Sequence, residues 1–513
     1  MKTLNIKRWL GLPALLGSML VVAGCSLAPT YTKPDVSAPA AFKETPQETA
    51  LAPSEQGTWK TAQPSEQALR GEWWTVFNDP TLNDLEHQAL EANQNLKAAA
   101  ARVKESRAIN QTARAGLFPT LDAGFGPTRE KVSPASQFLP ANANVPSQTL
   151  WRAEASASYE VDLFGRVSDS VKAANADTEQ SEALFRSVQL ALQADVAQNY
   201  FNLRELDSES DVYARTVTLR EQALKLVQNR FNEGEISELD VAQARSELAT
   251  AKSDAMTVQR LRAASEHSLA VLLGKSASQF SMAANPLQPV DIKIPPGLPS
   301  SLLERRPDIA AAERAMAAAN SRIGVAKSAF FPSLSITGSG GFESATLGDL
   351  FNWSSRTFLL GPFAGTALNL PIFDGGRRKG NLANARAISE EDVAKFRQQV
   401  LVAFQEVEDN LSDLRILQDQ TRTQAEAVSA SNRAAQLSRA QYTEGAVNYL
   451  DVIDAERTVL QSQRAAVQLA GVQATSTVNL VRALGGGWGD MPAASVTPAT
   501  PAAPAADASV ASR

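Results

Sequence analysis

Histidine and cysteine are nearly missing from this chain of 513 residues, which holds 2 His and 1 Cys. That scarcity excludes a zinc centre built from clustered His and Cys ligands, and leaves only carboxylate sites for harder ions. A basic excess is also lacking. Lys and Arg number 49 against 55 Asp and Glu, for a formal net charge of −6. No cationic surface is available to neutralise phosphates, so nucleic acid is not an expected partner. Phosphate-binding loops, nucleophile elbows and His-based triads are absent from the sequence, and no enzyme is expected. The apolar run from Trp9 to Ala23, about 15 residues, is short for a membrane-spanning helix. What remains is 44% hydrophobic and 20% charged, a composition that folds.

The apolar run follows basic Lys2, Lys7 and Arg8 and ends in Leu20, Val21, Val22, Ala23, Gly24 and Cys25. Residues 1–24 therefore read as a signal peptide. Small residues before the sole cysteine resemble a bacterial lipobox, which implies a diacylglycerol on the Cys25 thiol and an N-acyl chain on its amine. Apart from that covalent lipid, no cofactor is expected. Ser26 stands where an Asp would resemble an inner-membrane retention signal, so the outer membrane is implied. The Pro-, Ala-, Ser- and Thr-rich stretch 25–70 reads as a lipidated N-terminal tether. Residues 489–513 read as a disordered Ala/Pro-rich tail. The mature chain has no disulfide to draw on, so packing or oligomerisation must stabilise it.

Between these ends the sequence repeats itself. Residues 231–241 (FNEGEISELDV) return as 442–452 (YTEGAVNYLDV), and 117–121 (LFPTL) return as 330–334 (FFPSL). A looser echo links 162–166 with 371–377. The order and spacing of the matches define a duplicated unit, with halves at 71–274 and 301–488 and an equatorial linker at 275–300. Each half reads as helix, two strands, a long helix, a turn and a helix. The first helix is expected at about 83–116, with a counterpart at about 302–330.

Strands are expected at about 120–131, 151–164, 333–343 and 357–371. The second is the clearest. Ala153, Ala155, Ala157, Tyr159, Val161 and Leu163 alternate with Arg152, Glu154, Ser156, Ser158, Glu160 and Asp162. Period two gives one apolar and one strongly polar face, at a length that suits a tilted membrane-spanning strand. The long helices are expected at about 167–233 and 377–444; no Gly or Pro occurs from Val167 to Glu233 or from Leu382 to Glu444, so two rods are expected, the first roughly 100 Å long. Shorter helices follow at about 237–273 and 448–484. Val217, Leu224 and Phe231 form one apolar seam and Val212, Leu219 and Leu226 another, on nearly opposite sides of the first rod. A helix with a neighbour on each side, standing in a curved wall, needs two seams; a coiled-coil dimer needs one.

Four strands cannot close a membrane barrel, and open edges in lipid are not tolerated. If these strands cross a bilayer, several copies must pool them. Strand arithmetic alone allows two copies or three.

The lipobox, the paired halves, the motif at 298–309 (LPSSLLERRPDI), Phe373-Asp374-Gly375-Gly376 and 484–488 (LGGGW) together resemble the TolC-like outer membrane factors, and within them the NodT-type efflux lipoproteins. The resemblance covers about 73–488. It implies a mainly α fold with a small β part. A homotrimer would pool twelve strands into an outer-membrane β-barrel and the helices into a periplasmic α-helical barrel, in a Gram-negative bacterium. It also implies a passive exit duct for drugs or other small toxic compounds, working with a periplasmic adaptor (membrane fusion) protein and an inner-membrane pump of the resistance-nodulation-division type. An outlet for type I protein secretion is the alternative within the family.

Each long helix ends in Glu-Gly, with Gly234 and Gly445 suited to a left-handed cap. Ser237 and Asn448 read as N-caps, with Asp240 and Asp451 three residues on. By resemblance these turns form the tip that docks the adaptor. In the same way Asp454 and Leu450 are assigned to a periplasmic gate, with Tyr442 latching neighbouring helices. Arg305 and Arg306 read as capping and ion-pairing groups at a helix start, because Pro307 suits the first helical position.

Overall fold

A computed structural model describes residues 26–34, 39, 41–44, 72–289, 305–360 and 368–486. The signal peptide, Cys25, residues 45–71, linker residues 290–304 and the tail lie outside the described residues.

The two halves match element by element. In the first, α1 (Pro80–Ala92) and α2 (Gln94–Ala115) precede β1 (Thr120–Glu130), β2 (Gln148–Val161), α3 (Arg166–Asn232) and α4 (Glu238–Leu272). In the second, α5 (Pro307–Ser328) precedes β3 (Ser333–Ser344), β4 (Arg356–Leu360), β5 (Leu368–Asn369), α6 (Arg377–Thr443) and α7 (Tyr449–Ala483). The long helices α3 and α6 have 67 residues each, α4 and α7 have 35 each, and α2 and α5 have 22 each.

The single helix expected at about 83–116 is two. Asn93 leaves helical geometry (φ −60°, ψ 127°), and its side-chain oxygen caps Leu96 N–H at 3.0 Å. Its amide nitrogen donates to the Leu272 carbonyl at 2.9 Å, at the end of α4. The short helices α4 and α2 thus stack end to end beside α3. Gly274 permits the close approach, because its φ is +66° and a Cβ there would lie 2.6 Å from the Ala92 carbonyl oxygen. The second half repeats the joint. Arg306 donates to the Ala483 carbonyl at 3.0 Å where α7 meets α5, and Gly485 (φ +89°) lies against the Arg305 backbone. Around this level Trp73, Trp74, Leu82 and Leu85 pack on Tyr200 and Leu203 of α3, Leu269 of α4 and Val478 of α7. Each fully buried side chain of this size contributes about 1.5–3 kcal/mol.

Arg306 does more than cap. Pro307 opens α5 as expected, and the buried Arg306 guanidinium forks onto Asp308 at 3.1 and 2.6 Å and reaches Glu406 of α6 at 2.5 Å. Burial works to raise the Asp308 carboxyl, but the guanidinium beside it outweighs that effect and holds it below the usual carboxylate range. The motif at 305–309 is therefore a joint between α5, α6 and α7.

The strands form one antiparallel sheet in the order β1-β2-β3-β4, with β5 also paired to β3. The span expected at 357–371 is present as β4 and β5, flanking residues outside the described set. β2 ends at Val161, so Leu163 falls beyond the ladder. Register carries the alternation across the whole sheet. Phe125 opposes Ala153, which opposes Phe342; Ala155 opposes Gly340, which opposes Phe358; Tyr159 opposes Ile336. These residues share one apolar face with Leu121 and Trp151. The opposite face carries Asp122, Glu154, Ser156, Ser339 and an ion-pair ladder, in which Arg152 bonds Glu343 at 2.7 Å and Glu130 at 3.3 Å. Most of the apolar face is uncovered among the described residues: Leu121 is 80%, Phe125 65% and Phe358 75% exposed, while Phe342 meets the Phe351 ring at 5.5 Å. The outer edges of β1 and of β4 and β5 have no partner strand among the described residues.

The 25–70 stretch was expected as a tether, and its described part lies against the wall. Asn320 of α5 donates to the Pro29 carbonyl at 2.8 Å, and Lys33 pairs with Glu313 at 2.8 Å. Phe42 is buried among Val407, Leu411, Leu480 and Leu484. The Glu408 carboxylate accepts the backbone N–H groups of Lys43 and Glu44 at 2.8 and 3.1 Å. The apolar seams of α3 are only partly covered within one chain. Val212 is buried, whereas Leu219 and Leu226 are exposed.

Candidate functional site

The end of the wall farthest in sequence from the sheet is the pair of turns α3–α4 and α6–α7. Both are built the same way. Gly234 (φ +80°) and Gly445 (φ +77°) reverse the chain in the left-handed region. The wider bond of each cap follows, Glu235 N–H to the Arg230 carbonyl at 3.0 Å and Ala446 N–H to the Gln441 carbonyl at 2.8 Å. Ser237 with Asp240, and Asn448 with Asp451, close reciprocal capping boxes at the starts of α4 and α7. The two carboxylates therefore satisfy helix N-termini, where the dipole favours negative charge.

Tyr442 is packed inside the tip with Val227, Val241, Tyr449, Val452 and Ile453. Its ring centroid lies 5.4 Å from that of Tyr449, and the Arg230 guanidinium sits 5.0 Å over its face. Burial pushes the Tyr442 hydroxyl above its ordinary pKa and that of Tyr449 up to about 12. The Tyr442 hydroxyl oxygen has no hydrogen-bond partner among the described residues.

Leu450 and Asp454 sit one turn apart on one side of α7 and are left uncovered by their own chain, Leu450 at 49% and the Asp454 side chain at 62% exposed. Just beyond them lies a charged cluster that the sequence reading missed. Glu247 of α4 pairs with Arg220 of α3 at 3.0 Å and with Arg457 of α7 at 2.5 Å, and Arg457 also reaches Asp454 at 3.4 Å. One carboxylate thus ties three helices behind the uncovered Asp454. Glu247 and Arg457 are 210 positions apart, so no local spacing announces the pair. Cys25 lies outside the described residues.

A sheet with a largely apolar face and, among the described residues, two open edges, continued by paired 67-residue helices that end in capped turns, has the make-up of one segment of a membrane duct and its extramembrane wall. The profile of the outer membrane efflux protein family matches residues 85–275 and 298–486. The chain is 34% identical over 478 residues to the toluene efflux pump outer membrane protein TtgF of Pseudomonas putida, covering 93% of this chain and 97% of that one. Among solved structures it resembles the outer-membrane channel OprN, with a TM-score of 0.80 and 28% identity over 90% of this chain and all of that one. The open state of the Neisseria gonorrhoeae MtrE outer membrane channel matches with a TM-score of 0.75 and 30% identity, over 90% of this chain and 98% of that one. The chain belongs to the outer membrane efflux protein family. It is an outer-membrane component of an efflux system, and a conduit rather than an enzyme.

Proposed function

We propose that three copies of this chain close a twelve-stranded barrel in the outer membrane and continue it as a helical tunnel, through which an adaptor protein and an inner-membrane pump of the resistance-nodulation-division type pass small toxic compounds. The observation that carries the reading is the sheet: one face predominantly apolar, the other charged, and both edges unpaired among the described residues. In lipid each unpaired backbone group costs several kcal/mol, so copies pair edge to edge. The apolar face then meets acyl chains, and the Arg152 ladder meets water in the lumen. A relative named for toluene efflux supports a small, apolar cargo. Purified protein is expected to run as a heat-modifiable trimer, and a deletion strain to become sensitive to solvents and drugs. A lipid-independent monomer would overturn the duct. An assembled trimer whose loss leaves susceptibility unchanged would overturn the cargo class.

The same reading makes Leu450 an apolar constriction and Asp454 a ring of three carboxylates at the tunnel mouth, preferring hydrated cations. The capped turns at Gly234, Ser237, Asp240, Gly445, Asn448 and Asp451 dock the adaptor, and Tyr442 holds α6 to the tip core. In planar bilayers, Leu450→Ala with Asp454→Ala is expected to raise conductance and reduce cation preference. Unchanged conductance and selectivity would move the gate elsewhere. Cys25 carries the lipid, and the position of Ser26 beside the first turn of α3, just past β2, supports an anchor at the membrane face. Radiolabelled palmitate is expected in the wild type and not in Cys25→Ala.

A further inference from the structure

The duplicated halves make one helix contact and leave its counterpart open. Among the described residues α3 packs along both α2 and α5, whereas α6 packs along α5 but not along α2. Aligned from their first residues, Gln94 with Pro307 and Arg166 with Arg377, the equal-length helices correspond without gaps. In the α3–α5 contact Arg322 pairs with Asp177 at 2.6 Å and Arg314 with Glu179 at 3.1 Å. Gly324 leaves room for Asp169, because a Cβ there would lie 2.2 Å from the Asp169 Oδ2. Just past α5, Phe331 stacks on Phe164 with ring centroids 4.8 Å apart. The corresponding positions on α2 and α6 are uncovered. Ile109 and Ile388 stand for Arg322 and Asp177, and both are exposed. Exposed Gln111 and Gly380 stand for Gly324 and Asp169, with open space about Gly380, so bulk and room have exchanged sides. Phe118 stands for Phe331, and Phe373 holds the place of Phe164 in the looser echo before α6; they are 69% and 90% exposed. Glu390 stands for Glu179. Ala101 stands for Arg314, with Lys97 and Lys104 beside it on one face of α2. These three charged residues are exposed and form no ion pair among the described residues.

We propose that these positions meet between copies: the free face of α2 in one copy docks on α6 of the next, in the register of the α3–α5 contact, with Ile109 against Ile388, Gln111 over Gly380 and Phe118 on Phe373. This rests on the three-copy reading and adds to it the face, the partner residues and the register. α2 leads into β1 and α6 follows β5, so the free helix faces lie on the same two sides of the chain as the open strand edges. Edge-to-edge pairing of β1 with the β4 and β5 edge of the next copy therefore brings these helices together. Lys97 and Lys104 then face Glu390, which is opposite in sign. The contact is head-to-tail, and three such steps close a ring. Its chemistry also sorts the faces. Arg322 presented to Ile388, or Ile109 presented to Asp177, would leave a charge unpaired against an apolar side chain, so α5 and α2 do not exchange places during assembly.

Cross-linking in detergent-purified, full-length protein tests the contact. Ile109→Cys with Ile388→Cys, treated with a short bismaleimide, is expected to give covalent dimers and trimers on a denaturing gel, and neither single variant to give them. Charge replacement tests the register. Ile109→Arg sets a cation against Ile388 and is expected to lose the heat-modifiable trimer at temperatures where the wild type keeps it. Ile388→Asp alone should lose it as well. The two together rebuild the Arg322–Asp177 pair between copies and should restore the trimer. A trimer of the cysteine pair that yields no covalent product overturns the contact and leaves the three-copy reading standing. So does a double charge variant whose trimer is no more stable than that of Ile109→Arg alone. Covalent products that stop at the dimer keep the contact and overturn the count of three. An unmutated protein that is a lipid-independent monomer overturns both.

Discussion

The two helix joints at the middle of the wall share a backbone and differ in chemistry. In each, a glycine with positive φ ends one short helix, and a side chain before the next donates to the last carbonyl, Asn93 to Leu272 and Arg306 to Ala483. The first joint is held by a neutral amide that also caps its own helix. The second is held by a buried guanidinium that must also be neutralised, and Asp308 and Glu406 do so. Duplication preserved the geometry that the glycines and carbonyls impose, and left the donor free to diverge.

The largest expected effect tests that difference. Arg306→Ala removes a buried guanidinium and leaves the half-buried Asp308 and Glu406 carboxylates without it; it is expected to cost roughly 2–3 kcal/mol, seen as a lowered melting temperature by circular dichroism in detergent. Asn93→Ala loses a cap and one hydrogen bond and should cost about 1–2 kcal/mol. Equal losses would show that the ion network adds nothing to the joint.

A second contrast concerns the acids near these joints. Asp308 is held low by Arg306, so its contribution is present above the unfolded carboxylate pKa and is lost as pH falls through its folded value. Glu86 is fully buried, neither carboxyl oxygen has a partner, and burial pushes it up to about 9. The folded state keeps its proton where the unfolded state releases it. Stability is therefore greatest below the unfolded value of 4.5 and declines as pH rises from there towards about 9. Glu86→Gln is expected to raise stability by on the order of 2 kcal/mol at neutral pH and to flatten the alkaline side of a melting-temperature profile, with little change near pH 4. An unaltered profile would mean that Glu86 ionises at no cost.

The smallest effect separates the two tips. Leu239 and Gln243 occupy the repeat positions of Leu450 and Asp454 on an equally capped turn. Gln243→Ala should leave stability within about 0.5 kcal/mol, and leave ion selectivity untouched, where Asp454→Ala changes selectivity. If both change it alike, the tips are equivalent and the second has no special role.

Much of this was legible in the residues. The Glu-Gly turns, the caps at Ser237 and Asn448 and the alternation about Ala155 are local patterns, and they identify turns, helix starts and a two-faced strand without any tertiary information. The break at Asn93 was not legible, because the apolar spacing continues across it and the cause lies in α4, nearly 180 residues away. The Glu247 cluster and the Asp169 contact were hidden for the same reason. Glu247 takes its partners from two other helices, and Asp169 meets Ser26 of the N-terminal segment, 143 positions away. The docking of the Pro- and Ala-rich segment was hidden too, since a single Phe42 in its groove leaves no periodic trace.

The coincidence of the two joints at one level has a mechanical consequence. Every short helix is interrupted there, and only α3 and α6 run through without a break. A twist applied at the turns is therefore transmitted by two continuous struts, while their neighbours can slip at a jointed collar. Such a wall lets its short helices slide past the struts at the collar while the struts keep the tip in register with the sheet.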